Sequence, residues 1–235
     1  MDRKKFIQNG ILGIASLATA TKILESCSKS DNDDGTDTSV DGSCTVSPSE
    51  TKGPFPIKTP SQLVLENIKS DRIGVALLIN LTIENQSKDC APLEGVLVDV
   101  WHCDKDGNYS EYGGTSMQQT DYTSVHFLRG RQTSDANGEV SFISIFPGWY
   151  QGRAPHIHVE VLSASGSSLL VTQIAFPENV TNEVYSSTNY ASHGQADTSN
   201  TSDNIFADSL SDELASLTGN LADGYTLSKT ITVKA

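Results

Sequence analysis

The chain has 235 residues, enough for one domain with a leader or at most two small domains. Hydrophobic residues make up 37% and charged residues 19%, ordinary proportions for a globular protein with an apolar core. A formal net charge of −13 argues against a nucleic-acid backbone as partner and for solubility, and it is silent on fold.

Arg3, Lys4 and Lys5 open the chain, and an apolar stretch follows from Ile11 to Ala20. That stretch is too short for a permanent membrane span and has the layout of an export signal. Leu24-Glu25-Ser26-Cys27 resembles the bacterial lipoprotein cleavage box, whose cysteine becomes the lipidated first residue. Asp2-Arg3-Lys4-Lys5-Phe6-Ile7 resembles a twin-arginine signal with lysine in place of the second arginine. The expectation is a leader over 1–26 and a lipid anchor at Cys27. The protein would then sit at the bacterial cell envelope, touching the membrane only through that lipid. Residues 27–43 are mostly Ser, Asp, Asn, Gly and Thr and read as a flexible tether. The folded domain is expected over 44–235.

Three cysteines remain in that domain, Cys44, Cys90 and Cys103, and an oxidising compartment permits one disulfide among them. Cys90 and Cys103 flank an apparent strand, which would hold them about 33 Å apart, far beyond disulfide reach. A bridge from Cys44 to one of the other two is expected, and the sequence does not choose between them.

Short alternating or apolar runs then recur between turn signals. Val75–Glu84 and Leu93–His102 read as strands. Asp135-Ala136-Asn137-Gly138 is a strong turn leading into a strand over Glu139–Phe146. Pro155–Leu162, Leu169–Ala175 and Tyr225–Val233 follow, and Asp212–Leu217 reads as a helical turn or two. The segment Pro177–Asn204 reads as a long polar loop, a length uncommon unless it covers a site or is disordered. Many short strands and little helix predict an all-β sandwich of mostly antiparallel strands with long loops.

The sharpest local feature is Arg153-Ala154-Pro155-His156-Ile157-His158. On a strand, residues two apart share a face, so His156 and His158 project together and can reach one metal ion. Upstream, Pro147-Gly148-Trp149-Tyr150 forms a turn with two large aromatics, and the strand ending near His102 leads into Gly107-Asn108-Tyr109. The remaining histidines, His102, His126 and His193, read as surface or supporting groups. Asp99 reads as structural or solvent-exposed, and Trp101 as core.

The ordered set of motifs resembles the intradiol ring-cleavage dioxygenases, most closely their secreted single-domain relatives. The resemblance implies that Tyr109, Tyr150, His156 and His158 bind Fe(III). It assigns catalytic roles to Arg153, Tyr150 and Gln173, the last within Thr172-Gln173, and a pocket wall to Thr51, Gly53 and Pro54 of Thr51-Lys52-Gly53-Pro54. Its substrates would be a small aromatic diol and O2, both oxygen atoms entering a catechol-like ring to give a muconate-type diacid. Tyr150 would leave the metal as substrate binds and accept its proton. Arg153 would stabilise charge on the ring, and Gln173 would position it. Two features depart from the family pattern. Tyr150 lies only six residues before His156, and Phe55 stands where many relatives have tyrosine. The alternative is a non-catalytic extracellular β-sandwich binding module on a lipid anchor, which leaves the two-tyrosine, two-histidine set as coincidence.

Overall fold

The structure, a computed structural model, describes residues 44–235. The expected leader over 1–26, the anchor at Cys27 and the tether over 27–43 lie outside the described residues. Among the described residues, no helix is long and apolar enough to cross a membrane.

Alternation in sequence becomes alternation in burial along β1 (Ala76–Asn85), which buries Leu77, Ile79, Leu81 and Ile83 on one face. Strand β1 pairs in parallel with β9 (Gly224–Val233). Its other edge is shared by β2 (Ala91–Pro92) and β5 (Glu139–Ile145), both antiparallel. Strand β8 (Ser216–Asn220) pairs with β9 and completes the first sheet. The second sheet is antiparallel throughout and is built from β3 (Leu97–Trp101), β4 (Arg129–Thr133), β6 (His156–Leu162) and β7 (Ser168–Ala175), in the order β4-β3-β6-β7. Leu77, Ile79, Phe142 and Leu227 from one sheet meet Val98, Val100, Ile157 and Val159 from the other in a single core. This is the expected sandwich.

Three local readings change. Strand β4 is absent from the apolar pattern because Arg129-Gly130-Arg131-Gln132-Thr133 sends both arginines to the outer face. Inward it has Gly130, whose missing side chain leaves room for Ile68 and Phe142, and the polar Gln132, which donates to the Ser141 carbonyl of β5. The long segment after Pro177 opens with a helix, α1 (Glu178–Tyr185), which buries Thr181, Val184 and Tyr185. The helical reading of Asp212–Leu217 is half right: α2 (Leu210–Glu213) ends there and β8 begins, an exposed edge strand with little apolar signal.

A strap formed by residues 44–59 crosses the outer face of the second sheet. Cys44 is disulfide-bonded to Cys90, closing 46 residues, and Cys103 is buried and free. Ser47 N donates to Thr232 O and Glu50 N to Val171 O, so the strap adds to both sheets. Every residue of β6 is therefore buried, with the core on one side and the strap on the other.

Candidate metal and active site

Register places the histidines. Arg129, Trp101, His158 and Gln173 lie side by side across β4, β3, β6 and β7, and His156 stands opposite Ala175. Ile157 and Val159 point into the core, so both imidazoles are forced onto the outer face, under the strap. Trp101 lies on that face too and stacks on the His158 ring, nearly coplanar at 4.9 Å. Gly53 of the strap passes over the same imidazole so closely that a Cβ there would meet His158 Cε1 at 2.9 Å. Its φ of +65° also favours glycine.

The tyrosines come from turns. Asp104 Oδ1 accepts hydrogen bonds from the backbone N–H groups of Asp106 and Asn108, shaping the turn that delivers Tyr109. Its carbonyl oxygen accepts from Gly107 N and also from Gly148 N of the turn that delivers Tyr150. One residue thus ties both turns together. A Cβ on Gly148 would meet the carbonyl oxygens of Asp104 and Lys105 at 2.6 Å, and one on Gly107 would overlap the Trp149 carbonyl. His193 adds a hydrogen-bonding contact between Nε2 and Trp149 O at 2.8 Å.

The four side chains converge. His156 Nε2 lies 3.1 Å from His158 Nε2 and 3.5 Å from the Tyr109 hydroxyl. The Tyr150 ring is 5.5 Å from that of His156 and 5.8 Å from that of Tyr109. His156 Nδ1 lies 2.6 Å from the Ala154 carbonyl, so this nitrogen carries the proton and Nε2 presents a lone pair to its neighbours. Burial holds the His156 imidazole neutral, its pKa lowered to about 3 with Arg153 adding to the effect. Burial, then His156, also pushes His158 well below its ordinary value. Burial moves the Tyr109 phenol well above its usual value and raises that of Tyr150.

Donor chemistry is the test of whether these residues fit a ferric ion, and they do. Two bare or neutral imidazole nitrogens near enough to reach one ion are joined by phenols that only a strongly charged cation would deprotonate at neutral pH. Among the described residues, no cluster of three or more His, Cys, Asp or Glu is placed to hold a metal. Phenolates would have to supply half of the ligand set.

Arg153 lies beside this group. Its Nε donates to both oxygens of Asp203, at 3.1 and 2.8 Å, NH1 to the Tyr150 hydroxyl at 3.3 Å, and NH2 to Gln173 Oε1 at 2.6 Å. Gln173 Nε2 in turn donates to the carbonyl of Thr51. Thr51 therefore meets the site through its backbone, Gly53 through close approach, and Pro54 is exposed at its edge. Phe55 stacks on Tyr109 at 4.7 Å and meets Tyr150 edge-on at 5.9 Å.

Several supporting residues had no readable sign in the sequence. Asp203 is fully buried; besides Arg153 it accepts from Ala154 N and Ile205 N, so the far end of the long segment enters the site. Glu111 takes hydrogen bonds from Lys58 N and Thr59 Oγ1 and contacts His126 Nδ1 at 2.9 Å, tying strap to loop. Asp99 is buried and paired with Arg131, and His102 is buried against Ser144 and the Cys103 carbonyl, so neither is a surface group. Only the Asp104-x-Asp106-Gly107-Asn108 pattern was legible, as a turn.

The same arrangement lies within a recognised family. The family profile described as "Dioxygenase" matches residues 53–208, which include the two tyrosines, the two histidines, Arg153, Gln173 and Asp203. A chlorocatechol 1,2-dioxygenase of Rhodococcus opacus is 28% identical over 149 residues. That alignment covers 53% of this chain and 54% of the relative, so the chain spans about half the length of the curated relative it matches. An intradiol ring-cleavage dioxygenase from Tetranychus urticae superposes with a TM-score of 0.73 at 28% identity, over 81% of this chain and 95% of that one. The dioxygenase domain of a carbohydrate-binding fusion from Streptomyces sp. SirexAA-E gives 0.56 at 24% identity, over 81% and 99%, a likeness of fold alone. The chain belongs to the intradiol ring-cleavage dioxygenase family.

Proposed function

We propose that this protein is an exported Fe(III) intradiol dioxygenase that opens catechol-like rings. The observation that carries the reading is the meeting of Tyr109, Tyr150, His156 and His158 at one buried point, with two imidazole nitrogens 3.1 Å apart. In the overall reaction the bond between the two hydroxyl-bearing carbons breaks. Both atoms of O2 end in the muconate-type diacid, so the ring is oxidised and O2 is reduced without another co-reactant. A ferric ion, when bound, supplies the Lewis-acid and redox chemistry that lets a catecholate react with O2.

The protein side chains divide the remaining work. His156 and His158 are fixed by a strand buried on both faces, and Tyr109 is fully buried beneath Phe55, so these three would hold the ion throughout. Tyr150 is only half-buried and hydrogen-bonded to Arg153, so it would be the residue free to move aside and take a substrate proton. The Arg153 cation, held by Asp203 beside Tyr150 and Gln173, would stabilise negative charge developing on the ring. Gln173, braced by Arg153 and Thr51, orients the substrate.

Export is part of the proposal. The Cys44–Cys90 disulfide supports an oxidising compartment, in keeping with a leader over 1–26, a lipid on Cys27 and a tether over 27–43. Mass spectrometry of the membrane fraction would detect the lipidated Cys27 peptide, and an unmodified N-terminus there would remove the anchor.

Colour tests the central claim. Full-length protein loaded aerobically with Fe(III) should be wine-red from tyrosinate-to-iron charge transfer and should take up O2 when given catechol. Tyr109→Phe and His158→Ala should both lose the band and the uptake. A colourless wild-type protein after loading would overturn the reading.

A further inference from the structure

The turn that delivers Tyr150 is held along its length by a single stretch of chain. The carbonyl oxygens of Phe146, Pro147, Gly148 and Trp149 each meet a side chain from residues 185–193. The Tyr190 hydroxyl donates to Phe146 O at 2.7 Å, and the Tyr185 hydroxyl to Pro147 O at 3.1 Å and Gly148 O at 3.3 Å. His193 Nε2 lies 2.8 Å from Trp149 O. Tyr185 and Tyr190 are buried in the main core, so their contacts belong to the packing of the sandwich. His193 is only half-buried and stands at the last of these carbonyls, the one in the peptide bond that leads into Tyr150.

A carbonyl oxygen can only accept, so His193 Nε2 carries the proton of this bond. The Trp149 indole returns a bond to the same stretch, Nε1 donating to Gly194 O at 3.1 Å, and the two rings pack 4.5 Å apart. The other tyrosine turn meets them at the same point. A Cβ on Gly107, two residues before Tyr109, would lie 3.4 Å from His193 Nε2 as well as overlapping Trp149 O. The His193 N–H therefore ends at the seam between the two turns. A peptide unit is planar, so fixing its carbonyl fixes the direction in which the next residue leaves it. Resting on the dioxygenase reading, we propose that His193 is a positioning residue for the tyrosine ligands, its Nε2 proton locking the Trp149–Tyr150 peptide against the Tyr109 turn. With the backbone locked, Tyr150 leaves and returns by turning its side chain alone, and its hydroxyl comes back to the same place. Without that bond the peptide plane can rotate, and the hydroxyl at the far end of the ring moves with it.

Two substitutions separate the hydrogen bond from the ring packing. His193→Phe keeps a ring against Trp149 and loses the donor, whereas His193→Gln loses the ring and keeps an N–H of similar reach. In full-length protein loaded with Fe(III), His193→Phe should weaken and shift the tyrosinate charge-transfer band. It should also lower kcat/KM for catechol about tenfold or more, with thermal unfolding close to that of wild type. His193→Gln should restore both band and rate. A Phe variant with wild-type band and kinetics overturns the role of His193. A Gln variant no better than Phe does the same, because the hydrogen bond is then not what matters. Nitrogen NMR of wild-type protein at about pH 8, with diamagnetic Ga(III) in place of Fe(III), should show His193 protonated on Nε2. The Nδ1–H tautomer would overturn the role even if neither variant folds. A wild-type protein that stays colourless with Fe(III) fails the dioxygenase reading itself, and a coloured wild type with an indifferent His193→Phe fails only the role given to His193.

Discussion

The two halves of the site are built in different ways. His156 and His158 stand on β6, a strand paired on both sides, with the core beneath and the strap above. Their spacing is a property of the strand itself. Tyr109, Tyr150 and Arg153 stand on turns, and their positions depend on Asp104, Asp203 and His193, groups distant from one another in sequence. The histidine half is a rigid platform. The tyrosine half is an assembly that depends on its polar contacts, which suits the half containing Tyr150, the ligand proposed to move.

Perturbing each half separately should expose this difference. The largest effect on stability is expected from removing the clamp over the histidine half. Cys44→Ser combined with Cys90→Ser frees a 46-residue closure and should cost about 4 kcal/mol in denaturant unfolding. The charge-transfer band of the folded fraction should survive, because β6 and not the disulfide places the imidazoles. Loss of the band at full folding would break the distinction.

Asp203→Asn acts on the tyrosine half. It leaves Arg153 without its buried counter-charge and should lower kcat/KM by about 10–100-fold while iron binding persists. Steady-state kinetics and iron titration would check this. Equal losses of iron and activity would mean that the two halves are not separable. Gly53→Ala returns to the histidine half, at the point of closest approach. A left-handed backbone and a contact of 2.9 Å to His158 Cε1 should cost roughly 1 kcal/mol by thermal or chemical unfolding and shift the band.

The smallest effect lies at the end of α2, near Glu50 of the strap. Burial raises the carboxyl of Glu213 to about 7, with Glu50 of the strap adding repulsion, and its Oε1 is buried without a hydrogen-bond partner. The folded state therefore keeps a proton between about pH 4.5 and 7 that the unfolded chain has released, so stability falls as pH rises through that window. Glu213→Gln should flatten this dependence and leave the protein more stable than wild type above pH 7, by denaturant titration at several pH values. A wild-type stability that does not fall across the window would show that Glu213 is solvated.

The fold was legible wherever burial has a period. Val75–Glu84 and Pro155–Leu162 read as strands because one face meets the core, and each is found within a residue or so. Strand β4 was not, since its outward side chains include two arginines and its inward positions are a glycine and a glutamine. Of the site, all four ring-bearing ligand candidates stood out in sequence, whereas Asp203 and Glu111 did not. A lone acidic residue in a polar loop looks the same whether it ends in solvent or under an arginine.

The sequence by itself determined the alternating strands, the paired imidazoles and the two aromatic turns, because these are local and follow from backbone geometry and glycine chemistry. Tertiary structure alone decided that Cys44 pairs with Cys90, that the long segment delivers Asp203 to Arg153, and that the strap roofs the histidines. Each of these joins residues tens of positions apart. Their pairing depends on which surfaces the packed sheets bring together, and no local pattern encodes that.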